Sequence, residues 1–326
     1  MLQAPPTSNA CVSLDAQSAG VVCTTCPTGA GGSVAAGESF ASFGEIAQGR
    51  RADGEDFLIT LPVDLWSRCG VVCEPVVGAS RVTTPLAKSR RVAEAYLRAL
   101  GLETGIGLRL ELRRDMPVGK GLSSSTADML AVLRACEALF GVAAGEAFIC
   151  RLFAAIEPHD ALHYPTCVAY NHRRGRPLAC FDYVPDFRII AVDAGGVVCT
   201  QAYNRRLRFG QARIAEDQAL YERVLASFAA RDDTAIARCA QAATELHLAR
   251  TGNPFLAGLL KQARQPDVLG VVTAHSGTCA GLLLPGGADA EVLVRVARRV
   301  APLGTVFQTR TLRLPKPSLP TARRPA

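Results

Sequence analysis

Long hydrophobic runs are missing from this chain of 326 residues. No apolar stretch approaches the roughly 20 residues of a membrane helix, and segments such as Gly270-Val271-Val272 are core strands at most. Lysine and arginine are missing from residues 1–49. That excludes a conventional secretory signal and argues against an Arg-rich presequence, so a reducing cytoplasm is the expected setting. Basic residues elsewhere are spread along the chain rather than clustered with aromatics, which make up only 6% of it. The net charge of +7 fits an anionic substrate as well as nucleic acid, and with no basic clustering neither nucleic acid nor membrane is an expected partner. A second metal-ligand pair is missing too. Cys23-x-x-Cys26 has no companion at zinc-site spacing, Cys69-x3-Cys73 lies in an alternating strand pattern, and Pro158 and Pro165 leave His159-x3-His163 little room for a helix. The twelve cysteines fall within helical and strand patterns, where cysteine is a small hydrophobe. There is no internal repeat.

What is present is a polar loop in front of a helix. Leu108, Leu110 and Leu112 alternate with Arg109, Glu111 and Arg113, the period of a half-buried strand. Met129, Val132, Leu133, Cys136 and Phe140 then recur at helical spacing up to a stop at Gly141. Between them run Pro117, Val118, Gly119, Lys120, Gly121, Leu122, Ser123, Ser124, Ser125 and Thr126. A helix start offers unpaired N–H groups and the positive end of the macrodipole, glycines admit an anion close to the backbone, and hydroxyls add donors and metal ligands. The run suits a phosphate. Ser125-x-x-Asp128 also has the spacing of a capping box, which accounts for one or two of the hydroxyls. The loop is neither a Walker A element, since Gly121 stands where Ser or Thr is needed, nor a dinucleotide fingerprint.

Around this centre the patterns predict strands at Phe57–Leu61, Cys69–Val77, Thr166–Tyr170, Leu178–Tyr183, Phe187–Asp193, Val268–Thr273, Cys279–Leu284 and Thr305–Thr309. Helices are predicted at Ser89–Leu100, Glu146–Ile156, Gly210–Ala230, Asp233–Arg250 and Ala288–Val300. The mixture, with hairpin-like pairs, reads as α+β. Residues 1–36 read as a flexible extension and 313–326 as a disordered tail, with domains expected at 37–185 and 186–312.

The run Pro117–Ala127 resembles the central motif of the GHMP kinases, P-x-x-x-G-L-x-S-S-x-A. Two further segments fall in that family's order: Phe43-Gly44-Glu45-Ile46-Ala47-Gln48-Gly49 with Thr60-Leu61-Pro62-Val63-Asp64, and Ala274-His275-Ser276-Gly277-Thr278-Cys279-Ala280-Gly281. The first of these, together with Ser124–Asp128 and Glu157-Pro158-x-Asp160, is similar to the L-threonine kinase branch of cobalamin biosynthesis. The resemblance covers residues 38–312. It departs from the family pattern in Ser123, which stands where a glycine is common, and in the apolar Cys279 and Leu282–Leu284.

The resemblance implies a two-domain fold, an N-terminal domain like the second domain of ribosomal protein S5 followed by a ferredoxin-like domain, with the active site between them. It implies ATP and Mg2+ as cofactors and a small hydroxy-amino acid as substrate, L-threonine first. Ser125 is the implied metal-binding hydroxyl, with Glu157 as second ligand and Asp160 as base. Residues 117–126 would surround the nucleotide, and Glu45, His275, Ser276 and Gly277 would face the substrate. Plain alternatives stand beside these roles: a solvated turn for Glu157–Asp160, a surface carboxylate for Glu45, a tight strand connection for Gly277. Asp193-Ala194-Gly195-Gly196 is a further candidate loop. Homoserine or another small alcohol is the alternative substrate, a nucleotide-binding regulator without turnover the alternative class, and a homodimer is compatible with either.

Overall fold

Ser33–Arg50 is rich in small and apolar residues, and its stretch from Ser39 to Ala47 has only Glu45 charged, so that stretch can be buried on both sides. A computed structural model describes residues 12–14, 32–196, 210–274 and 277–313; Cys23, Cys26, His275 and Ser276 lie outside them. In it Ser33–Arg50 (β2) pairs antiparallel with Asp56–Ala79 (β3) over nearly its full length, from Ser33↔Cys73 to Arg50↔Asp56. Sequence pattern had divided β3 into two strands and offered none over β2. The division reflects a change of environment: Phe57–Val63 is buried on both faces, whereas Ser67–Cys73 alternates. β2 begins at Ser33, inside the segment expected to be an extension, and Val12–Leu14 (β1) pairs in parallel with Val142–Ala144 (β6).

The main sheet continues through Thr104–Arg114 (β5) to Arg81–Thr83 (β4), while Val168–Asn171 (β7) and Arg176–Cys180 (β8) extend from β3. On its other side follow Gly270–Thr273 (β10), Cys279–Pro285 (β11), Phe187–Asp193 (β9) and Thr305–Arg310 (β12). Numbered among themselves, these four strands run 4-1-3-2, the order of a ferredoxin-like sheet. One residue pair, Thr273↔Glu45, joins them to β2.

Ala87–Ala99 (α1), Ser124–Phe140 (α2) and Glu146–Ile156 (α3) belong to the first half. Helix α2 was expected to show one apolar stripe, but Leu130, Ala131 and Ala135 are buried along with Met129, Val132 and Leu133. It lies between β2 and β3 on one side and α1 on the other, so it is covered almost all round. Each large side chain so buried contributes about 1.5–3 kcal/mol. In the second half Gln211–Ala229 (α4) and Asp233–Thr251 (α5) cover one face. Pro254–Gln262 (α6) and Ala290–Val300 (α7) pack Leu256, Leu259, Leu293 and Val296 on the other. Helix α6 escaped the periodicity reading because it is short. Its signal was local: the Asn253 side chain accepts from the Phe255 N–H, and Pro254 holds the first turn. Strand β8 ends before Phe181, which instead stacks on Phe228 of α4 at 4.1 Å.

The cysteines bear out the packing role. Among the described residues all but Cys180 are buried. Burial pushes the Cys69 and Cys279 thiols up to about 12. The rings of His159 and His163 lie 6.2 Å apart and both pack against Tyr170, as core residues do.

The two halves are stapled at Asp217 of α4, which is fully buried. It accepts from the Arg50 N–H at 3.0 Å and from Arg250 at 2.8 Å. Asp217→Ala removes this acceptor from the Arg50 N–H and leaves Arg250 with Glu216 alone, and breaking a buried pair of this kind costs about 3–5 kcal/mol. Urea unfolding of the variant should show a loss of that order, with a matching fall in midpoint.

Candidate active site

The β2 backbone breaks register between Ser42 and Glu45 and again between Glu45 and Ala47. Gly44 takes φ of 56°, and a Cβ there would lie 2.5 Å from the Thr273 carbonyl oxygen. Only glycine allows that approach. This irregular stretch turns Ser42 and Glu45 inward at the junction of the two halves, as bulges near active sites commonly do.

Opposite them stands the front of α2. Gly119 and Gly121 have positive φ, and Ser123, the N-cap, is itself left-handed at φ 54°. No side chain caps the helix. The helix starts two residues earlier than a Ser125-x-x-Asp128 capping box requires, and Asp128 faces elsewhere: Arg114 grips it with two nitrogens, at 2.7 Å each, and the Ser67 hydroxyl donates at 2.7 Å. The leading N–H groups therefore meet the cleft without a side-chain acceptor, which fits an anion. Ser123 departs from the family's glycine at a conformation that glycine favours, a strain of about 1–3 kcal/mol. Its hydroxyl is bound to that of Ser42 and also to the carboxylate of Asp160. The serine side chain thus faces the carboxylate rather than the loop's anion-binding face.

Glu157 ends α3 in extended conformation and swings back onto α2, where its carboxylate accepts from the Ser125 hydroxyl at 2.5 Å. The Lys88 ammonium, from the first turn of α1, lies 2.5 Å from the other oxygen of Glu157 and 3.1 Å from Ser125 Oγ. A hydroxyl and a carboxylate gathered about a cation form the hard-oxygen set that suits magnesium, so these two residues fit the metal the resemblance implies.

Asp160 is held through its backbone. Its N–H donates to Thr126 Oγ1 at 3.4 Å, and its carbonyl oxygen lies 3.0 Å from His159 Nδ1. Thr126 is thus buried as an anchor for the base candidate. The Asp160 carboxyl keeps a solvent-facing edge but sits deep among protein atoms. Burial, then repulsion from Glu45, pushes it up to about 7, against the pull of the Ser123 hydroxyl.

The loop's lysine is turned elsewhere. Lys120 lies 2.7 Å from Asp193 Oδ2 and 2.5 Å from the Gly196 carbonyl oxygen. Burial pushes the Asp193 carboxyl up, but Lys120, the Thr278 hydroxyl at 2.7 Å and the Gly195 N–H together hold it below its ordinary value. Gly277, at the turn between β10 and β11, packs onto the same loop: a Cβ there would stand 2.1 Å from the Lys120 carbonyl oxygen. The Cys279 N–H donates to that oxygen at 3.3 Å.

Ser123, Ser125, Thr126, Glu157, Asp160 and Glu45 are accordingly brought together, with Lys120 and Gly277 at the loop's far side. The sequence reading missed Ser42 and Lys88. Lys88 had a signal: a cation in a helix's first turn opposes the macrodipole and needs a reason to be there. Ser42 had one in its place two residues before a glycine inside an apolar strand.

Because the Ser123 hydroxyl stabilises the charged form of Asp160, Ser123→Gly should raise the Asp160 pKa further, by about 0.5–1 unit. Carbon-13 NMR titration of the Asp160 carboxyl reads that shift directly, and an unchanged midpoint would refute the contact.

The model of the GHMP kinases N terminal domain matches residues 87–166, which span α1, the loop, α2 and the Glu157–Asp160 segment. The L-threonine kinase of Salmonella typhimurium is 25% identical over 256 residues, 78% of this chain and 84% of that protein. A 4-diphosphocytidyl-2-C-methyl-D-erythritol kinase of Parvibaculum lavamentivorans is 34% identical over 114 residues, 34% of this chain and 39% of that protein. Among solved structures, the homoserine kinase of Cytophaga hutchinsonii superposes with a TM-score of 0.63 at 16% identity, covering 85% of this chain and 95% of that one. Matched domain, relatives aligned over most of both chains and shared fold agree: residues 87–166 of this chain form a GHMP kinases N terminal domain.

Proposed function

We propose that the protein transfers the γ-phosphoryl group of ATP to the hydroxyl of L-threonine, giving O-phospho-L-threonine. The observation that carries this reading is the meeting of Ser125, Glu157 and Asp160 at the uncapped front of α2. Phosphoryl transfer asks a protein mainly for charge neutralisation and for one group to orient the attacking hydroxyl. The N–H groups at the start of α2 would receive the phosphates, with Ser124 and the glycines at 119 and 121 lining their path. Magnesium, held by Ser125 and Glu157, would supply charge neutralisation on the phosphates. Asp160 would accept the threonine hydroxyl proton as the oxygen bonds to phosphorus and the bond to the ADP oxygen breaks. Glu45, buried beside Asp160, would hold the substrate ammonium, a role that joins substrate choice to the seam between the two halves.

L-Threonine is favoured because the L-threonine kinase of Salmonella typhimurium aligns over most of both chains. A second reading, a 4-diphosphocytidyl-2-C-methyl-D-erythritol kinase, draws on the higher identity of a shorter match. Acidic Glu45 favours an ammonium-bearing substrate over that one. Incubation with ATP, Mg2+ and a panel including L-threonine, L-homoserine and that erythritol derivative separates them. ADP release with L-threonine and a new phosphomonoester signal are expected; release with another alcohol alone replaces the substrate, and ATP binding without release with any would leave a regulator.

Asp160→Asn should retain ATP affinity and lose about two or more orders of magnitude in kcat. In the wild type kcat should rise with pH to a plateau above about 7, since the charged carboxylate is the working form. Stability runs the other way. A carboxyl raised from 3.8 to about 7 favours the fold below its unfolded value and loses that contribution as pH climbs through about 7. Asp160→Asn should therefore gain stability on the wild type across that window, read by thermal melts at several pH values. Ser125→Ala should raise the magnesium concentration needed for half-maximal rate.

A further inference from the structure

Lys88 stands in a place that general electrostatics disfavours. It sits in the first turn of α1, where the macrodipole is positive, and its ammonium reaches the first residues of α2, a second positive helix end. What holds it there is Glu157, which is buried and lies 2.5 Å away. The neighbourhood is otherwise acidic: Asp160 and Glu45 lie close enough for each to act on the other's charge, and Glu157 acts on Asp160 as well. The other lysine of the site, Lys120, is committed to Asp193 on the far side of the loop. Arg91, one turn along α1, donates to the Ala155 carbonyl oxygen at 3.0 Å and fixes α1 against the end of α3 that carries Glu157. The ammonium therefore occupies the oxygen pair, Ser125 Oγ and the Glu157 carboxylate, that fits a divalent cation.

We propose that Lys88 is the resident counter-ion of the Ser125–Glu157 pair when nucleotide is absent, and that it passes to a phosphate oxygen when metal and nucleotide arrive together. The inference rests on the kinase reading above for its second half and on the observed contacts for its first. The physical reason is competition. Two cations cannot share one carboxylate and one hydroxyl, and a lysine tethered by α1 is present at high effective concentration. Free metal must displace it into water, with no phosphate oxygen to receive the ammonium. A metal–nucleotide complex brings phosphate oxygens that accept it, so displacement then costs little. Lys88 is a positioning and gating residue in this account: it keeps the metal site closed to metal alone. The Lys88 side chain is 44% exposed, which leaves its long stem free to swing.

The test uses the full-length protein and Mn2+ followed by electron paramagnetic resonance, so it does not depend on turnover. Without nucleotide, Lys88→Met should bind Mn2+ about tenfold or more tightly than the wild type, the equivalent of about 1.4 kcal/mol. Lys88→Arg, which keeps a cation, should stay near the wild type, and Lys88→Met combined with Glu157→Gln should lose the gain. With Mg2+ present, affinity for a non-hydrolysable ATP analogue should move the opposite way and fall about tenfold in Lys88→Met. Thermal melts establish that each variant is folded, and Lys88→Gln replaces Lys88→Met if the latter is not. Equal Mn2+ affinity in folded Lys88→Met and wild type, or a gain that survives Glu157→Gln, overturns the counter-ion role. An unchanged or raised analogue affinity overturns the transfer to phosphate. A wild type that binds no analogue at all refutes the kinase reading, while the Mn2+ comparison still decides the first half.

Discussion

A helix buried almost all round can present its unpaired N–H groups in one direction only, along its axis. That constraint governs α2. Sheet on one flank and α1 on the other shield its sides, and the N-cap Ser123 turns its hydroxyl to Ser42 and Asp160 instead of back onto the helix N–H groups. The charge of the helix end is delivered undiminished to the cleft. Every functional side chain named above is arranged about that point. Capping by the Ser123 hydroxyl would have stabilised the helix by about 1 kcal/mol and occupied an N–H group of the site.

The carboxylates around this positive end are not equivalent, and their differences follow from their partners. Asp193 is held in its charged form by a lysine, a hydroxyl and a backbone N–H. Asp160 is more deeply buried, has Glu45 as an acidic neighbour and only a hydroxyl and its own backbone N–H to offset them, so its proton is held far more tightly. One group is tied up as structure while the other is poised near neutrality, the condition a proton acceptor requires. Ser123 tunes that poise. Its left-handed backbone is strained, and the strain is offset by the hydroxyl's contacts with Ser42 and Asp160.

The joint between the halves carries a comparable economy. Two β-pairs, Thr273↔Glu45 and Val63↔Thr311, close the sheet across the seam, and Gly277 and Gly121 bring the β10–β11 turn against the loop before α2. Lys120 crosses the same gap to Asp193. Loop, hairpin and bulge are thus mutually supporting, so residues far apart in sequence meet within one small volume. Asp217 performs the matching task at the end of β2, where it receives the Arg50 N–H.

The α+β class, the loop before α2, the hairpin of β10 and β11, and most helices were legible in the sequence because they depend on neighbours in the chain: periodicity, glycine punctuation and a run of hydroxyls. So were Ser125, Glu157 and Asp160, through motifs with fixed short spacing. Strand β2 was not, since its small residues are buried on both faces and alternate only at its start. Nor could spacing reveal that Asp128 turns away from the helix end, that Ser42 reaches Ser123 across 81 positions, or that Lys88 lies between Ser125 and Glu157. Local pattern determined which segments are strand, loop and helix. Long-range packing alone decided which polar groups face one another, because partners distant in the chain are chosen by how buried surfaces fit and not by the residues beside them.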